Sequence, residues 1–254
     1  MRILLTNDDG IEAPGINILG NHLEQAGHDI IYCAPKTQQS ATSHSITLHA
    51  PVQLFKHGEK RYSVGGKPTD SVLIAYHLFG ENVFDLVISG INQGQNMAED
   101  ILYSGTVAAA IEASFIGFRS IAISVTSFTD VQYDTAATWL CHMLQEGMAD
   151  QIREKEVLNI NVPNVGVSEI KGIKITHPGH RHYENFVTEI KAPRNIKLFW
   201  ISGEVIWAED EEADTAVIQD NYISISPIYP DFSKRQSNKK YRNWLKQIKS
   251  LEKV

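Results

Sequence analysis

Met1-Arg2-Ile3-Leu4-Leu5-Thr6-Asn7-Asp8-Asp9-Gly10 is the stretch on which the reading of this chain turns. Ile3, Leu4 and Leu5 predict a short buried strand. Two adjacent carboxylates and a glycine follow where the strand must stop. Acids at the end of a buried strand are costly unless positive charge lies beside them. A divalent cation is the simplest such charge. Taken alone, Asn-Asp-Asp-Gly is turn chemistry. Directly after a buried strand, at the edge where ligands bind, the cation is the better reading.

The segments that follow repeat one pattern. Pro14 suits a helix start, because its missing N–H is not needed there. Ile16, Leu19, Leu23 and Ala26 recur at helical spacing, and Gly27 is a natural stop. Asp29 to Ala34 predicts the next strand, ended by Pro35, so the first unit is strand, helix, parallel strand. Lys36 to Ser45 is a polar, hydroxyl-rich loop. Ile46–Leu48, Val52–Phe55 and Arg61–Val64 predict short strands, and Thr69 is a candidate helix cap. Strands are expected at Phe84–Ser89, Ser120–Val125 and Val157–Val162, with helices opening at Ser104 and spanning Asp130–Met148. The fold class is therefore α/β: a doubly wound, mostly parallel sheet between helices, with a β-hairpin insertion. Residues 1–165 form this part. Residues 166–254 are expected to form a β-rich appendage, with strands at Ile173–Thr176, Lys197–Ile201 and Tyr222–Ser226. Tyr241, Trp244, Leu245, Ile248 and Leu251 mark an amphipathic terminal helix. That helix serves either subunit contact or packing on its own domain.

The bulk numbers narrow the function. With 254 residues, 43% hydrophobic and 21% charged, the chain is an ordinary globular protein with a full core. A net charge of -7 argues against a nucleic-acid coat and against an anionic membrane surface, but not against a small phosphorylated ligand. No apolar run is long enough to span a bilayer, and the first residues do not read as a signal peptide. Cys33 and Cys141 make neither a disulfide framework nor a thiolate metal site, which suits a reducing, cytoplasmic setting.

Four loops should meet beyond the carboxyl ends of the strands. They carry Asp8 and Asp9, Ser40, Asn92 with Asn96, and Ser104-Gly105-Thr106. All are hard oxygen donors, which favour Mg²⁺ or Mn²⁺ over zinc or copper. Two carboxylates balance one dication, and neutral Ser40 and Asn92 complete a shell without adding charge. Ser40 alone reads as a loop serine, and Asn92 and Asn96 also suit stabilisation of a Gly-rich loop. Ser104 to Thr106 offers free N–H groups at a helix start, an anion site, although Ser104 alone is a plain N-cap. His177, His180, Arg181 and His182 form a cationic cluster that fits no standard zinc spacing; a solvated loop is their default reading, and a phosphate- or subunit-facing role is the lesser one.

Several motifs in order resemble the survival protein SurE family. They are Asn7-Asp8-Asp9-Gly10 with Ala13-Pro14-Gly15, Ala34-Pro35 followed by Ser40 and Ser45-Ile46-Thr47-Leu48, and Pro68-Thr69-Asp70. Ser89-Gly90-Ile91-Asn92 with Gly94 and Asn96, and Tyr103-Ser104-Gly105-Thr106-Val107-Ala108-Ala109-Ala110, complete the set. Together they cover most of residues 1–125. The resemblance implies a Rossmann-like domain and a metal-dependent phosphatase of nucleoside 5'- and 3'-monophosphates. It implies one divalent ion per subunit on Asp8, Asp9, Ser40 and Asn92, with phosphate contacts from Asn96, Ser104, Gly105 and Thr106. It also implies a tail that takes part in a homodimer or homotetramer. Lys36, Gln39 and Ala41 stand where the family commonly has Asp, Arg and Gly. Lys191 to Asn195 and Glu212 to Asp214 also depart from the usual pattern. These changes bear on substrate range and on the tail rather than on the metal set.

The expected reaction is hydrolysis by metal-activated water, with Asp8 or Asp9 orienting or deprotonating it. A covalent aspartyl-phosphate route fits less well, since its two acids are usually separated by one residue. A receiver-like signalling module would need a phosphorylatable Asp where Ser89-Gly90 stands. A nucleotide-binding module without turnover remains the alternative.

Overall fold

The computed structural model describes residues 1–184, 187–191, 196–201, 204–207, 210–231 and 235–247. Strand β1 (Arg2–Thr6) buries Ile3, Leu4 and Leu5 completely. Alternation along the strand sends Ile3 and Leu5 into one core and Leu4 into another, so the sheet is covered on both faces. Helix α1 (Pro14–Gln25) starts on Pro14 and places Ile16, Leu19 and Leu23 on the first face. Strand β2 (Asp29–Pro35) returns parallel to β1, and it includes Pro35, whose carbonyl accepts Ile11 N–H at 2.8 Å.

β3 (Leu54–Lys56) and β4 (Arg61–Val64) form the inserted hairpin, with β4 parallel to β2. The strand expected at Ile46–Leu48 does not form. Asp70 accepts Thr47 N–H at 2.9 Å and Thr47 Oγ1–H at 2.6 Å, so a carboxylate takes a donor that a strand would spend on a ladder. Helix α2 (Pro68–Phe79) is capped at Lys67 and not at Thr69. Pro68 occupies the first turn, Asp70 accepts Lys67 N–H at 2.7 Å, and Thr69 donates to Ser45 O instead.

β5 (Leu86–Gln93) runs further than expected and carries Asn92 on the strand itself, past a register shift against its neighbour between Ser89 and Asn92. Helix α3 (Gly105–Phe115) follows, then β6 (Ser120–Val125), α4 (Tyr133–Gln145), the short α5 (Met148–Gln151) and β7 (Val157–Val162). The single helix expected over Asp130–Met148 is broken by Gly147 in the left-handed region.

The tail does not all stand apart. β8 (Gly172–Ile175) and β13 (Tyr222–Ile228) extend the main sheet past the boundary expected at residue 165. The nine strands run β3-β4-β2-β1-β5-β6-β7-β13-β8, with β13 antiparallel to β7. Among the described residues, β9 (Arg181–Glu184) with β12 (Glu204–Trp207), and β10 (Val187–Lys191) with β11 (Lys197–Ile201), form separate two-stranded ribbons. α6 (Asp214–Gln219) precedes β13, and α7 (Arg235–Gln247) closes the described chain. Ile248 and Leu251 of the expected terminal helix, and residues 192–195, lie outside the described residues. No helix among the described residues is long and apolar enough to cross a membrane.

Candidate active site

The chain runs from β1 out to β2 and later returns to the other side of β1 as β5. Strand order therefore reverses between β1 and β5, where an open α/β sheet leaves a crevice at the strand ends. Asp8 and Asp9 leave β1 into that crevice, and Asn92 sits at the end of β5.

The Asp8-Asp9 turn is built locally. Asn7 is fully buried, its Nδ2 donates to Gly10 O at 2.8 Å, and its Oδ1 accepts Gly10 N–H at 3.1 Å. Turn chemistry and ligand chemistry thus coexist: Asn7 makes the turn and the acids are presented by it. Gln39 N–H donates to Asp8 O at 2.7 Å, which ties the Ser40 loop to the same point.

Helix α3 closes on Asp8 from the other side. A Cβ on Gly105 would lie 2.8 Å from Asp8 Cβ and 2.9 Å from Asp8 Oδ2, so only glycine permits this approach. The Thr106 hydroxyl donates to Asp8 Oδ1. Ser104 is a true N-cap, its Oγ accepting Val107 N–H at 3.0 Å. Asp9 receives Gln93 N–H at 3.3 Å and Gln38 Nε2–H at 3.5 Å, and the same Gln38 amide donates to Ser40 Oγ at 3.0 Å.

One cavity of about 340 Å³ joins these parts, within the range of small-ligand sites. Of the eight residues expected at the site, Asp8, Ser40, Asn92, Asn96 and Ser104 line it. Asp9 is tied to it through Gln38 and Gln93, and Gly105 and Thr106 pack against Asp8. A larger cavity of about 800 Å³, lined by Glu211, Glu212, Asp220 and Lys174 among others, holds none of the eight.

Burial pushes the Asp8 carboxyl up to about 6 against the Thr106 hydrogen bond, and the neighbouring Asp9 charge adds to it. Asp9 is also raised by burial, opposed by the Gln93 and Gln38 donors. These are acids short of positive charge, as a cation site should be before its cation is counted. Asn92 Nδ2 donates to Gly94 O at 2.8 Å, which turns the amide nitrogen to the protein and leaves its carbonyl oxygen unspent by that bond. Among the described residues no group of three or more His, Cys, Asp or Glu forms an alternative metal cluster. Two carboxylates with neutral oxygens fit Mg²⁺ or Mn²⁺, which keep waters and share phosphate oxygens.

Asn96 is held by a buried network. Its N–H donates to Asn161 Oδ1 at 2.9 Å, and its carbonyl accepts Asn159 Nδ2–H at 2.8 Å and Asn161 Nδ2–H at 3.0 Å. Its own Nδ2 donates to Ser124 Oγ at 2.8 Å. Sequence reasoning gives Asn159 and Asn161 no role at the site; two asparagines inside a fully buried strand are the available signal. Arg181 departs from the solvated-loop reading. Its side chain is 6% exposed, pairs with Asp100 and lines the cavity. His180 pairs with Glu99 at 3.0 Å and His177 with Asp210 at 2.8 Å, both at the surface. The His182 side chain lies outside the described residues.

A family model described as Survival protein SurE matches residues 3–185. This chain belongs to the SurE family. A protein of Alkaliphilus metalliredigens named 5'-nucleotidase SurE is 42% identical over 250 residues, spanning 96% of this chain and 98% of that one. The 5'-nucleotidase SurE of Carboxydothermus hydrogenoformans is 42% identical over 257 residues, spanning 98% and 97%. The crystal structure of SurE from Aquifex aeolicus superposes with a TM-score of 0.88 at 34% identity, covering 96% of this chain and 99% of that one. The SurE match thus includes the tail as well as the sheet.

Proposed function

We propose that this chain is a nucleotidase, a divalent-metal-dependent hydrolase that converts nucleoside 5'- and 3'-monophosphates to nucleoside and phosphate. The names of its SurE relatives support the reaction class. The observation that carries the reading is the convergence of Asp8, Ser40, Asn92, Asn96 and Ser104 on one cavity at the sheet's switch point.

Asp8, Asp9, Ser40 and Asn92 would hold one Mg²⁺ or Mn²⁺ per subunit. When bound, the ion supplies Lewis acidity toward phosphate oxygen and makes water a stronger acid. Ser104, Gly105 and Thr106 present the first turn of α3; Val107 N–H is spent on Ser104 Oγ, Ser104 N–H on Asp100 O and Thr106 on Asp8, so the Gly105 N–H and the Ser104 hydroxyl are the donors offered to a phosphate oxygen. Asn96, fixed by Asn161 and Asn159, holds a further oxygen where charge develops. Asp8 or Asp9 orients the attacking water and takes its proton. The water oxygen bonds to phosphorus as the ester P–O bond breaks, the departing ester oxygen takes a proton from solvent water so that the nucleoside leaves as its hydroxyl, and the proton held by the aspartate returns to solvent.

Assembly as a homodimer or homotetramer is supported by the exposed Leu198, Phe199, Trp200 and Ile201 of β11 and by exposed Trp244 on α7. On this reading residues 1–165 carry the metal and phosphate ligands, Arg181 of β9 reaches the same cavity, and the β10–β11 ribbon with α7 carries assembly. A cytoplasmic setting is supported by free Cys33 and Cys141.

Phosphate release from nucleoside 5'- and 3'-monophosphates with Mn²⁺, with Mg²⁺ and with chelator tests the proposal. Release that chelator abolishes is expected. No release from any member by folded, metal-loaded protein would reject turnover in favour of ligand binding alone.

A further inference from the structure

The cavity that holds Asp8 and Ser104 has a second kind of wall. Tyr103 and Phe128 both line it, and both rings are left largely in water, 59% and 65% exposed. Neither is there to fill a core. Each is nonetheless placed by its backbone. Tyr103 N–H donates to Asp100 O at 2.9 Å, and Tyr103 O accepts Ser43 N–H at 3.0 Å. Phe128 O accepts the Gln93 side-chain amide. The Phe128 ring lies so close to Gly94 that a Cβ there would sit 2.3 Å from it, and Gly94 has φ +99°.

Chain connectivity places each ring beside one arm of the candidate phosphate site. Tyr103 immediately precedes Ser104. Phe128 rests on Gly94, between Asn92 and Asn96. A phosphate seated between Asn96 and the start of α3 would leave the rest of its ester extending toward these two rings. Exposed aromatic rings in a cavity wall, on backbone held by hydrogen bonds, suit a flat heteroaromatic ring.

We propose that Tyr103 and Phe128 seat the nucleobase and so set the preference for nucleotides over phosphomonoesters that lack a base. The inference rests on the nucleotidase reading above. Every base offers a π face, so stacking tolerates base identity, and a broad base range is the expected corollary.

The test compares kcat/KM for the adenine, guanine, cytosine and uracil nucleoside 5'-monophosphates with kcat/KM for ribose 5-phosphate. In Phe128→Ala and in Tyr103→Ala the nucleotide to ribose 5-phosphate ratio should fall roughly tenfold for all four bases. Phe128→Tyr and Tyr103→Phe should restore it. Thermal melts and light scattering accompany each variant. Phe128→Leu and Tyr103→Leu, which keep apolar bulk without a π face, replace an alanine variant that melts early. An unchanged ratio in an active enzyme overturns this inference alone. Equal losses on both substrates overturn it too, and with a lowered mass they assign the rings to a subunit contact. Absence of release from every substrate by the metal-loaded wild type overturns the nucleotidase reading and this inference with it.

Discussion

Asp8 and Asp9 show how one residue pair is read at two levels. The sequence places two acids after a buried strand; the structure adds that Asp8 is only 5% exposed and receives the Thr106 hydroxyl. Burial raises the Asp8 carboxyl to about 6 from an ordinary 3.8. In metal-free protein the folded state therefore holds a proton that the unfolded state has released. The group contributes most below pH 4, and that contribution is lost as pH rises through about 6. At neutral pH the charged form costs on the order of 3 kcal/mol. Asp8→Asn should then raise the melting temperature of chelated protein at pH 7 and flatten its pH dependence between 4 and 6. Melts across that range, with and without Mn²⁺, check both. Asp9→Ala should lose Mn²⁺ binding by calorimetry and phosphate release together, while circular dichroism stays native. Full activity in that variant would remove Asp9 from the site.

Among elements, α3 was legible in part. Ser104-Gly105-Thr106 before an apolar helix announced a cap, which Ser104 supplies, and pointed to an anion site that belongs to the proposal. Helix propensity alone would favour Gly105→Ala by up to about 1 kcal/mol. The structure reverses that expectation, since the added Cβ would lie 2.8 Å from Asp8 Cβ and 3.1 Å from Thr42 Oγ1. Gly105→Ala should keep its helical signal and lose at least about tenfold in kcat/KM, because a shift of about 1 Å at a positioned site is enough to do so. Steady-state kinetics beside far-UV spectra decide this. Elements whose periodicity matched their environment, such as β6 and β7, were placed to the residue. Ile46–Leu48 failed because strand propensity says nothing of the Asp70 carboxylate waiting 23 residues on from Thr47. Asn92 was read as a loop residue because Gly90 looks like a terminator, whereas the neighbouring strand carries β5 through it with a register shift.

At the scale of the whole molecule, the tail divides between completing the sheet and leaving it. β13 joins β7 and sends Ile223 and Ile225 into the core, and β8 joins β13 as the sheet's exposed edge. The β10–β11 ribbon instead exposes a dense apolar row, Leu198, Phe199, Trp200 and Ile201, an unusual surface for an isolated chain. Replacing Trp200 and Ile201 by Glu and Lys should lower the molar mass measured by light scattering. The double variant should leave the sheet's cooperative unfolding intact, since neither residue belongs to its core. A mass that does not change would remove this ribbon from assembly.

What the sequence determined by itself was the alternation of strands and helices and the hard oxygen donors at the strand ends. Both are carried by neighbours along the chain: apolar periodicity and short motifs act within a few residues. Only the tertiary structure decided which distant groups meet. Arg181 pairs with Asp100 across 81 residues and enters the cavity, and Asn161 holds Asn96 across 65. β8 and β13 belong to the main sheet because unpaired strand edges and buried amides must find partners wherever the chain returns. Local pattern states that such groups need partners, and long-range packing selects them.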